Sequence, residues 1–209
     1  MASVGGWTYS EAMHKFMHRP DDRLKMAKSC VDLVLQYPEI FDGLDIDLEY
    51  PCPKGAGVCG PGIPESADDP ANFTALIQQF RSLMPARLLL ALATSANPQV
   101  IPGLQFAPLN QLVDHYNIMT YDFVSGSFGD AVTGHQSRVM KSHSPLSANA
   151  NVDPSVASLT PSLGWFLSVE EAVAAYIRQG ADPKKLMVGV AMYGRGFKIQ
   201  GGAGIFRKS

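Results

Sequence analysis

Short apolar segments with the character of strands alternate along this chain with segments that have the periodicity of helices. The strand-like segments are residues 2–6, 41–48, 88–94, 115–121 and 186–193. Strands separated by helices usually pair in parallel, and helices cover both faces of the resulting sheet. The sequence therefore predicts an α/β fold that contains five parallel strands.

Three segments predict helices between these strands. Residues 21–37 and 70–84 have apolar residues at helical spacing, and Pro70 suits the first turn of the second helix. A capping box, Ser168-Val-Glu-Glu171, predicts a helix up to about Gln179, with Gly180 as its C-terminal cap. The residues expected to face the core are Leu24, Ala27, Val31 and Leu35 in the first helix and Phe73, Leu76, Ile77 and Phe80 in the second.

Composition narrows the classes of function. Of 209 residues, 46% are hydrophobic and 17% are charged, which is typical of a compact domain with a large core. The net charge is −2 and no basic run occurs, so no nucleic-acid partner is expected. No apolar stretch approaches the ~20 residues that span a bilayer, so no membrane association is expected. The N-terminus does not have the pattern of a signal peptide.

The cysteines and histidines leave one question open. Cys30 lies in a helical pattern and is interpreted as a small apolar residue. Cys52 and Cys59 flank a loop rich in Pro and Gly, where either a disulfide or two free thiols fits the sequence. The five histidines show no cluster along the sequence, so no metal site is predicted.

Four carboxylates, Asp42, Asp45, Asp47 and Glu49, are concentrated in one predicted strand. Because side chains alternate along a strand, the last three point to one side and are separated by about 6–7 Å. Inward carboxylates are costly unless some share protons, so at least one pKa is raised, as a general acid at neutral pH requires. The same D-x-D-x-E spacing also suits Mg²⁺ or Ca²⁺, and the spacing alone leaves both interpretations open.

The complete stretch at residues 41–49, FDGLDIDLE, resembles the signature of family 18 glycoside hydrolases, the chitinases and their relatives. Three further segments resemble family motifs in the same order: SVGGW at 3–7, MTYD at 119–122 and MYGR at 192–195. Leu48 occupies a variable position where chitinases most often have Trp. The resemblance covers nearly the whole chain and favours catalysis over metal binding.

The resemblance implies a TIM-type (β/α)₈ barrel with its active site at the carboxyl ends of the strands. By motif, this chain covers about strands three to seven, so it resembles a family member truncated at both ends. Residues 1–209 are accordingly interpreted as a single partial catalytic barrel domain. Residues 197–209 are interpreted as the start of an α+β subdomain that many members insert.

The resemblance also implies hydrolysis of β-1,4 bonds between N-acetylglucosamine units, without a cofactor, by a substrate-assisted mechanism. Glu49 would be the acid and then the base. Asp47 would orient the substrate acetamide, Asp45 would share a proton with Asp47, and Tyr121 would hydrogen-bond the acetamide carbonyl. Chitin or chitooligosaccharides are the expected partners. The residues expected to contact sugar are Trp7, Tyr50, Met119, Asp122, Tyr193 and Arg195.

Several alternatives remain at this level. Tyr121 could be a core tyrosine, Asp122 and Arg195 could be surface charges, and Trp165 suits core packing as well as it suits substrate contact. A lectin-like protein that binds sugar without turnover and an inactive fragment are the alternative functions. We expect low activity and self-association through exposed barrel edges for the isolated chain, and an extracellular location for the full-length protein.

Overall fold

A computed structural model describes residues 1–57, 59–124, 134–140 and 168–198. The chain divides into two compact units. The first unit contains Met1–Ile118 and Ala175–Met187, and the second contains Met119–Ala174 and Val188–Ser209.

The described residues form strands and helices in the order that the sequence predicts, with two additional α-helices. The strands are β1 (Ala2–Gly5), β2 (Gly43–Asp47), β3 (Leu89–Ser95), β4 (His115–Met119) and β5 (Leu186–Val188). The α-helices are α1 (Ser10–Met17), α2 (Pro20–Gln36), α3 (Asp69–Leu83), α4 (Phe106–Leu112) and α5 (Val169–Arg178), and single 3₁₀ turns occur at Ile101–Gly103 and Pro183–Lys185.

The five strands form one sheet in the order β1-β2-β3-β4-β5, which confirms the prediction of five strands. Strands β1 and β2 are parallel, with Ala2 opposite Leu44, and β2 and β3 are parallel, with Gly43 opposite Leu89. Each strand therefore pairs with the next strand along the chain, as consecutive βα units require. The parallel arrangement places the carboxyl ends of β1, β2 and β3 at the same edge of the sheet.

The predicted core faces of the helices are confirmed for α3 and partly wrong for α2. All four predicted residues of α3 are buried, at no more than 1% exposure. In α2, Leu24 is 45% exposed and Leu35 is 36% exposed, whereas Val34 is buried. The buried stripe of α2 runs through Ala27, Val31 and Val34, so it is narrower than the apolar pattern suggested.

The predicted helices and strands differ from the structure in number and at some of their ends. Helices α1 and α4 were not predicted; both are short, with 8 and 7 residues. The last strand ends at Val188 rather than at residue 193. The capping box is confirmed, since Glu171 N–H donates to Ser168 Oγ at 3.1 Å. Most of the long loop expected at residues 124–167, including Trp165, lies outside the described residues.

An aromatic cluster forms part of the core of the first unit. Phe106 packs edge-to-face against Tyr116 and Tyr176, with ring centroids 5.6 Å and 5.4 Å apart. The Tyr176 hydroxyl donates to the Ser95 carbonyl oxygen at 2.7 Å, so the polar end of a fully buried ring is satisfied. These contacts link α4, β4 and α5 to the end of β3.

The question about the cysteines is resolved in favour of a disulfide between Cys52 and Cys59. Cys30 is a free thiol that is half-buried in α2, and burial raises its pKa. Among the described residues, no helix combines the length and the apolar character needed to cross a membrane.

Candidate active site

Strand β2 alternates between buried apolar residues and half-buried acids. Leu44, Ile46 and Leu48 are at most 1% exposed. Asp45 and Asp47, and Glu49 two residues beyond the strand, are half-buried. The predicted separation of the two sets of side chains is therefore confirmed, and the acids approach the carboxyl end of the strand.

Asp45 is held by side chains from two other strands. Ser3 Oγ on β1 donates to Asp45 Oδ2 at 2.9 Å, and Asn117 Nδ2 on β4 donates to Asp45 Oδ1 at 2.9 Å. Both carboxylate oxygens of Asp45 are therefore engaged as acceptors.

Asp47 is in a different environment, although it is only two residues away. Its Oδ1 is buried and has no hydrogen-bond partner among the described residues. Burial raises the pKa of Asp47 to about 7, and the neighbouring charges of Glu49 and Asp45 add to this effect. The pKa of one carboxylate, Asp47, is raised as predicted, but burial is the larger cause and the predicted crowding of charges is the smaller one.

The glycines at the end of β1 bring the backbone close to Asp47. A Cβ atom at Gly5 would lie 2.1 Å from the Asp47 carbonyl oxygen, and its φ of 123° also excludes most other residues. Gly6 N–H donates to the same carbonyl oxygen at 2.8 Å. The S-x-G-G segment thus holds the backbone carbonyl group of Asp47 in place.

The backbone of Glu49 is positioned by the start of α1. Its N–H donates to Ser10 Oγ at 2.8 Å, and Ser10 Oγ in turn donates to the Gly6 carbonyl oxygen at 2.8 Å. The Tyr50 hydroxyl lies against the side chains of Glu49 and Ser95, and burial, followed by the charge of Glu49, raises the pKa of Tyr50. Tyr50 is therefore a neighbour of the expected acid.

Two other expected sugar contacts lie at the end of a strand or just beyond one. Trp7 follows β1 and is 41% exposed. Met119 is the last residue of β4 and is half-buried. Their positions after strand ends fit the prediction that this edge of the sheet carries the site, but their contact with sugar stays a prediction.

The remaining expected site residues lie in the second unit, where they contact one another. Arg195 binds Asp122 through two parallel hydrogen bonds, from Nε to Oδ1 and from Nη2 to Oδ2, each 2.7 Å long. The Tyr193 hydroxyl donates to Asp122 Oδ2 at 2.7 Å, and the Arg195 guanidinium carbon lies 4.9 Å from the Tyr193 ring centroid. Asp122 and Arg195 are therefore partners in an ion pair, not isolated surface charges.

Tyr121 is adjacent to this ion pair. It is half-buried, and its ring lies edge-on to the Tyr193 ring with centroids 5.9 Å apart. Burial and the hydrogen bond to Asp122 raise the pKa of Tyr193. Asp122 itself has a φ of 58°, so the chain turns sharply directly after Tyr121.

Comparison with known proteins agrees with the four motifs. Residues 1–208 match the model of a protein family described as glycosyl hydrolases family 18. The chain belongs to this family. The fold of this family 18 chain is accordingly the TIM-type barrel, of which the described residues supply five strands.

Several of the similar proteins are chitinases. Chitinase 1 of Aphanocladium album is 30% identical over 98% of this chain and 43% of its own length. The crystal structure of the Ostrinia furnacalis group II chitinase catalytic domain 2 has a TM-score of 0.77 and 27% identity over 99% of this chain and 49% of that one. A mutant of that domain, solved in complex with penta-N-acetylchitooctaose, has a TM-score of 0.76 and 28% identity, with the same coverage. This family 18 chain therefore spans less than half the length of these relatives.

Ser10 and Asn117 are two site residues that the motifs did not identify. Asn117 could have been found from strand periodicity, because it precedes Met119 and Tyr121 by two and four residues. No local pattern indicates that the hydroxyl of Ser10 would reach the Glu49 backbone, since the two residues are 39 positions apart.

The histidines of this family 18 chain are arranged differently from the prediction. His14 and His18 come together with Asp69, and atoms that could each ligate a metal ion lie within 4.8 Å of one another. The interpretation that the histidines form no cluster is wrong. The sequence did not indicate the cluster because Asp69 is separated from both histidines by more than 50 residues and reaches them through the packing of α1 on α3.

Proposed function

We propose that the protein hydrolyses β-1,4 bonds between N-acetylglucosamine units in chitin or chitooligosaccharides. The observation that carries this proposal is the contrast between Asp45, both of whose oxygens are engaged, and Asp47, which keeps a buried oxygen without a partner among the described residues. An N–H group of a bound substrate would satisfy that oxygen, and leaving it unsatisfied costs free energy. Membership of family 18 supports the same reaction class.

In the proposed reaction, Glu49 begins as the acid. Its carboxyl proton passes to the glycosidic oxygen as the bond from that oxygen to the anomeric carbon breaks. The carbonyl oxygen of the substrate's own acetamido group attacks the same carbon and forms a positively charged oxazolinium ring. Glu49 then takes a proton from water as that water attacks the anomeric carbon, so the configuration is retained and Glu49 regains its proton.

Asp47 would act on the acetamido group. Its unpartnered oxygen accepts the acetamide N–H and orients the carbonyl oxygen toward the anomeric carbon. A pKa of about 7 means that Asp47 binds a proton readily before substrate enters. Sharing this proton with Asp45 leaves negative charge on Asp47 when the positive ring forms, and that charge stabilises the ring.

The residues of the second unit that lie in the family motifs would contribute sugar contacts. Tyr121 would donate a hydrogen bond to the acetamide carbonyl, next to the ion pair of Asp122 and Arg195. Because both charges of that ion pair are bound to each other, the pair would present a rigid polar surface to the sugar hydroxyls. Trp7, which is 41% exposed, would stack its ring on a sugar face.

Mass spectrometry of chitohexaose digests tests this proposal. We expect release of shorter N-acetylglucosamine oligomers by the natural protein that contains this chain, with at least a hundredfold lower rate for Glu49→Gln. Fully deacetylated glucosamine hexamer should not be cleaved, because it lacks the attacking carbonyl group. Cleavage of both substrates at similar rates would contradict the substrate-assisted mechanism.

A parallel binding measurement separates the alternative functions. If chitohexaose binds to both the natural protein and Glu49→Gln but neither protein cleaves it, the protein is lectin-like. That result would overturn the proposed hydrolysis. The 209-residue chain alone should show much lower turnover than a complete barrel of eight strands, because the residues that the structure describes supply five of them. Full activity of this chain would contradict that expectation.

A further inference from the structure

His14 of α1, His18 at the C-terminal cap of α1 and Asp69 of α3 form a cluster outside the proposed active site. His14 and His18 are four residues apart, so both imidazoles lie on one face of the helix. Asp69 is the first residue of α3, and its side chain is fully buried. The His14 side chain is 6% exposed and that of His18 is 31% exposed, so the cluster is reached from solvent past His18.

The ligand atoms of this cluster are spaced as a tetrahedral metal ion requires. Asp69 Oδ1 lies 3.1 Å from His14 Nε2 and 2.9 Å from His18 Nε2, and the two Nε2 atoms are 3.4 Å apart. A zinc ion about 2.0–2.1 Å from its ligands fits above this triangle, roughly 1 Å out of its plane, without movement of any of the three atoms. The fourth coordination position would face away from the three side chains.

We propose that His14, His18 and Asp69 bind a late first-row divalent cation, of which Zn²⁺ is the preferred example. Two imidazole nitrogens and one carboxylate oxygen are ligands that Zn²⁺ accepts, whereas Mg²⁺ and Ca²⁺ require sets of oxygen ligands. Water completes the coordination on the side of His18. This site lies on residues that the proposed hydrolysis does not use.

The hydrogen bonds around His18 define what must change when metal binds. Arg23 Nη1 donates to Asn72 Oδ1 at 3.1 Å, so the Asn72 amide presents Nδ2 to His18 Nδ1, also at 3.1 Å. His18 Nδ1 is then an acceptor, and the imidazole proton is on Nε2, directed at Asp69. Metal binding moves this proton to Nδ1, and the Asn72 amide turns to accept it. Arg23 keeps the Met17 carbonyl oxygen as an acceptor.

The bound metal would stabilise the segment that follows the proposed acid. Asp69 Oδ2 accepts a hydrogen bond from Cys52 N–H at 2.8 Å, and Cys52 is three residues beyond Glu49. A metal on Asp69 would therefore connect α1, α3 and the disulfide loop at one point. The expected consequence is higher thermal stability, not a step in the hydrolysis.

Zinc titration of the untagged natural protein tests the proposal. After treatment with a chelator, calorimetry should detect one Zn²⁺ per chain, and Co²⁺ should give the visible spectrum of a tetrahedral site. His18→Ala changes the most exposed ligand, so the variant is expected to fold, and its Kd for Zn²⁺ should rise by at least about tenfold. The matched control, His135→Ala, removes a histidine of the second unit and should leave the Kd unchanged.

A second variant distinguishes metal binding from a purely hydrogen-bonded cluster. Asn72→Asp places a carboxylate where it accepts the Nδ1 proton of a metal-bound His18, so it should lower the Kd for Zn²⁺ by roughly tenfold. Zn²⁺ should also raise the melting temperature of the natural protein but not that of His18→Ala. Absence of Zn²⁺ binding, an unchanged Kd in His18→Ala, or an unchanged or higher Kd in Asn72→Asp would overturn the proposal. Since chitohexaose cleavage is measured separately, failure here is independent of the proposed hydrolysis.

Discussion

The side-chain amide of Asn117 on β4 donates a hydrogen bond to Oδ1 of Asp45 on β2 at 2.9 Å. These two strands are separated in the sheet by β3. In a TIM-type barrel, side chains from alternate strands meet in one interior layer. The contact therefore places the Asp45 side chain on the inner side of the sheet.

Replacing Asn117 with alanine should lower kcat about tenfold. The variant leaves one oxygen of a half-buried carboxylate without its donor, which costs about 1–3 kcal/mol. Because Asp45 is proposed to act through Asp47 and not on the substrate, KM should stay within about twofold. Steady-state chitohexaose kinetics check this, with Gln78→Ala on the exposed side of α3 as the control. An increase in KM with unchanged kcat would show that Asn117 contacts sugar directly.

The raised pKa of Asp47 predicts how stability depends on pH. The pKa of Asp47 is about 7 in the folded state, against an ordinary value of 3.8. Between about pH 4 and pH 7, the unfolded chain has lost this proton while the folded chain retains it, so the folded state loses stability as pH rises. Asp47→Asn removes the effect. The free energy of unfolding of the variant should match that of the natural protein at pH 4 and exceed it by about 1–2 kcal/mol at pH 8. This difference is smaller than the full pKa shift implies, because solvent screens the site.

Thermal melting of the two proteins between pH 4 and pH 8 measures this difference. A constant difference in melting temperature across the range would contradict the predicted pKa. The same variant should lose chitohexaose hydrolysis by about 10²–10³ at every pH, because an amide cannot provide the negative charge that stabilises the oxazolinium ring. A substitution that raises stability and lowers activity is typical of a residue that is retained for its function.

Arg195→Lys tests the ion pair of the second unit. Lysine cannot reproduce the two parallel hydrogen bonds of the guanidinium to Asp122. We expect KM for chitohexaose to rise by roughly fivefold, equivalent to about 1 kcal/mol, while kcat changes by less than about twofold. Arg178→Lys, at the exposed end of α5, is the matched control. A fall in kcat without a change in KM would indicate a role in the reacting step.

The disulfide should contribute to stability. Cys52 and Cys59 close a short loop, with a separation of 7 residues, so the expected contribution is about 1–2 kcal/mol. Cys59→Ser should lower the melting temperature by about 3–6 °C. Reducing agent should lower the melting temperature of the natural protein by the same amount but should not affect the variant. Cys30→Ser should change neither the melting temperature nor its response to the reducing agent. Equal sensitivity of the natural protein, Cys59→Ser and Cys30→Ser to the reducing agent would contradict the assignment of the disulfide.

Much of the fold could be predicted from local patterns. The alternation of Leu44, Ile46 and Leu48 with Asp45, Asp47 and Glu49 predicted both the strand and its two faces, since a strand has a period of two wherever it lies. Helix α3 was predicted for a similar reason, because Phe73, Leu76, Ile77 and Phe80 repeat with the helical period. Leu24 and Leu35 were wrongly predicted to face the core, and both are exposed. The neighbouring elements decide which part of an apolar helix face is covered.

The sequence by itself determined the family, the order of strands and helices, and the acids expected to act, because these depend on residue type and spacing along the chain. Only the tertiary structure decided how those acids differ. Asp45 has two donors because Ser3 and Asn117 reach it, whereas burial, with the nearby charges of Glu49 and Asp45, raises the pKa of Asp47. The same holds for His14, His18 and Asp69, whose cluster requires helices distant in sequence to pack together. Hydrogen bonding and desolvation depend on distances in space, which a local pattern does not contain.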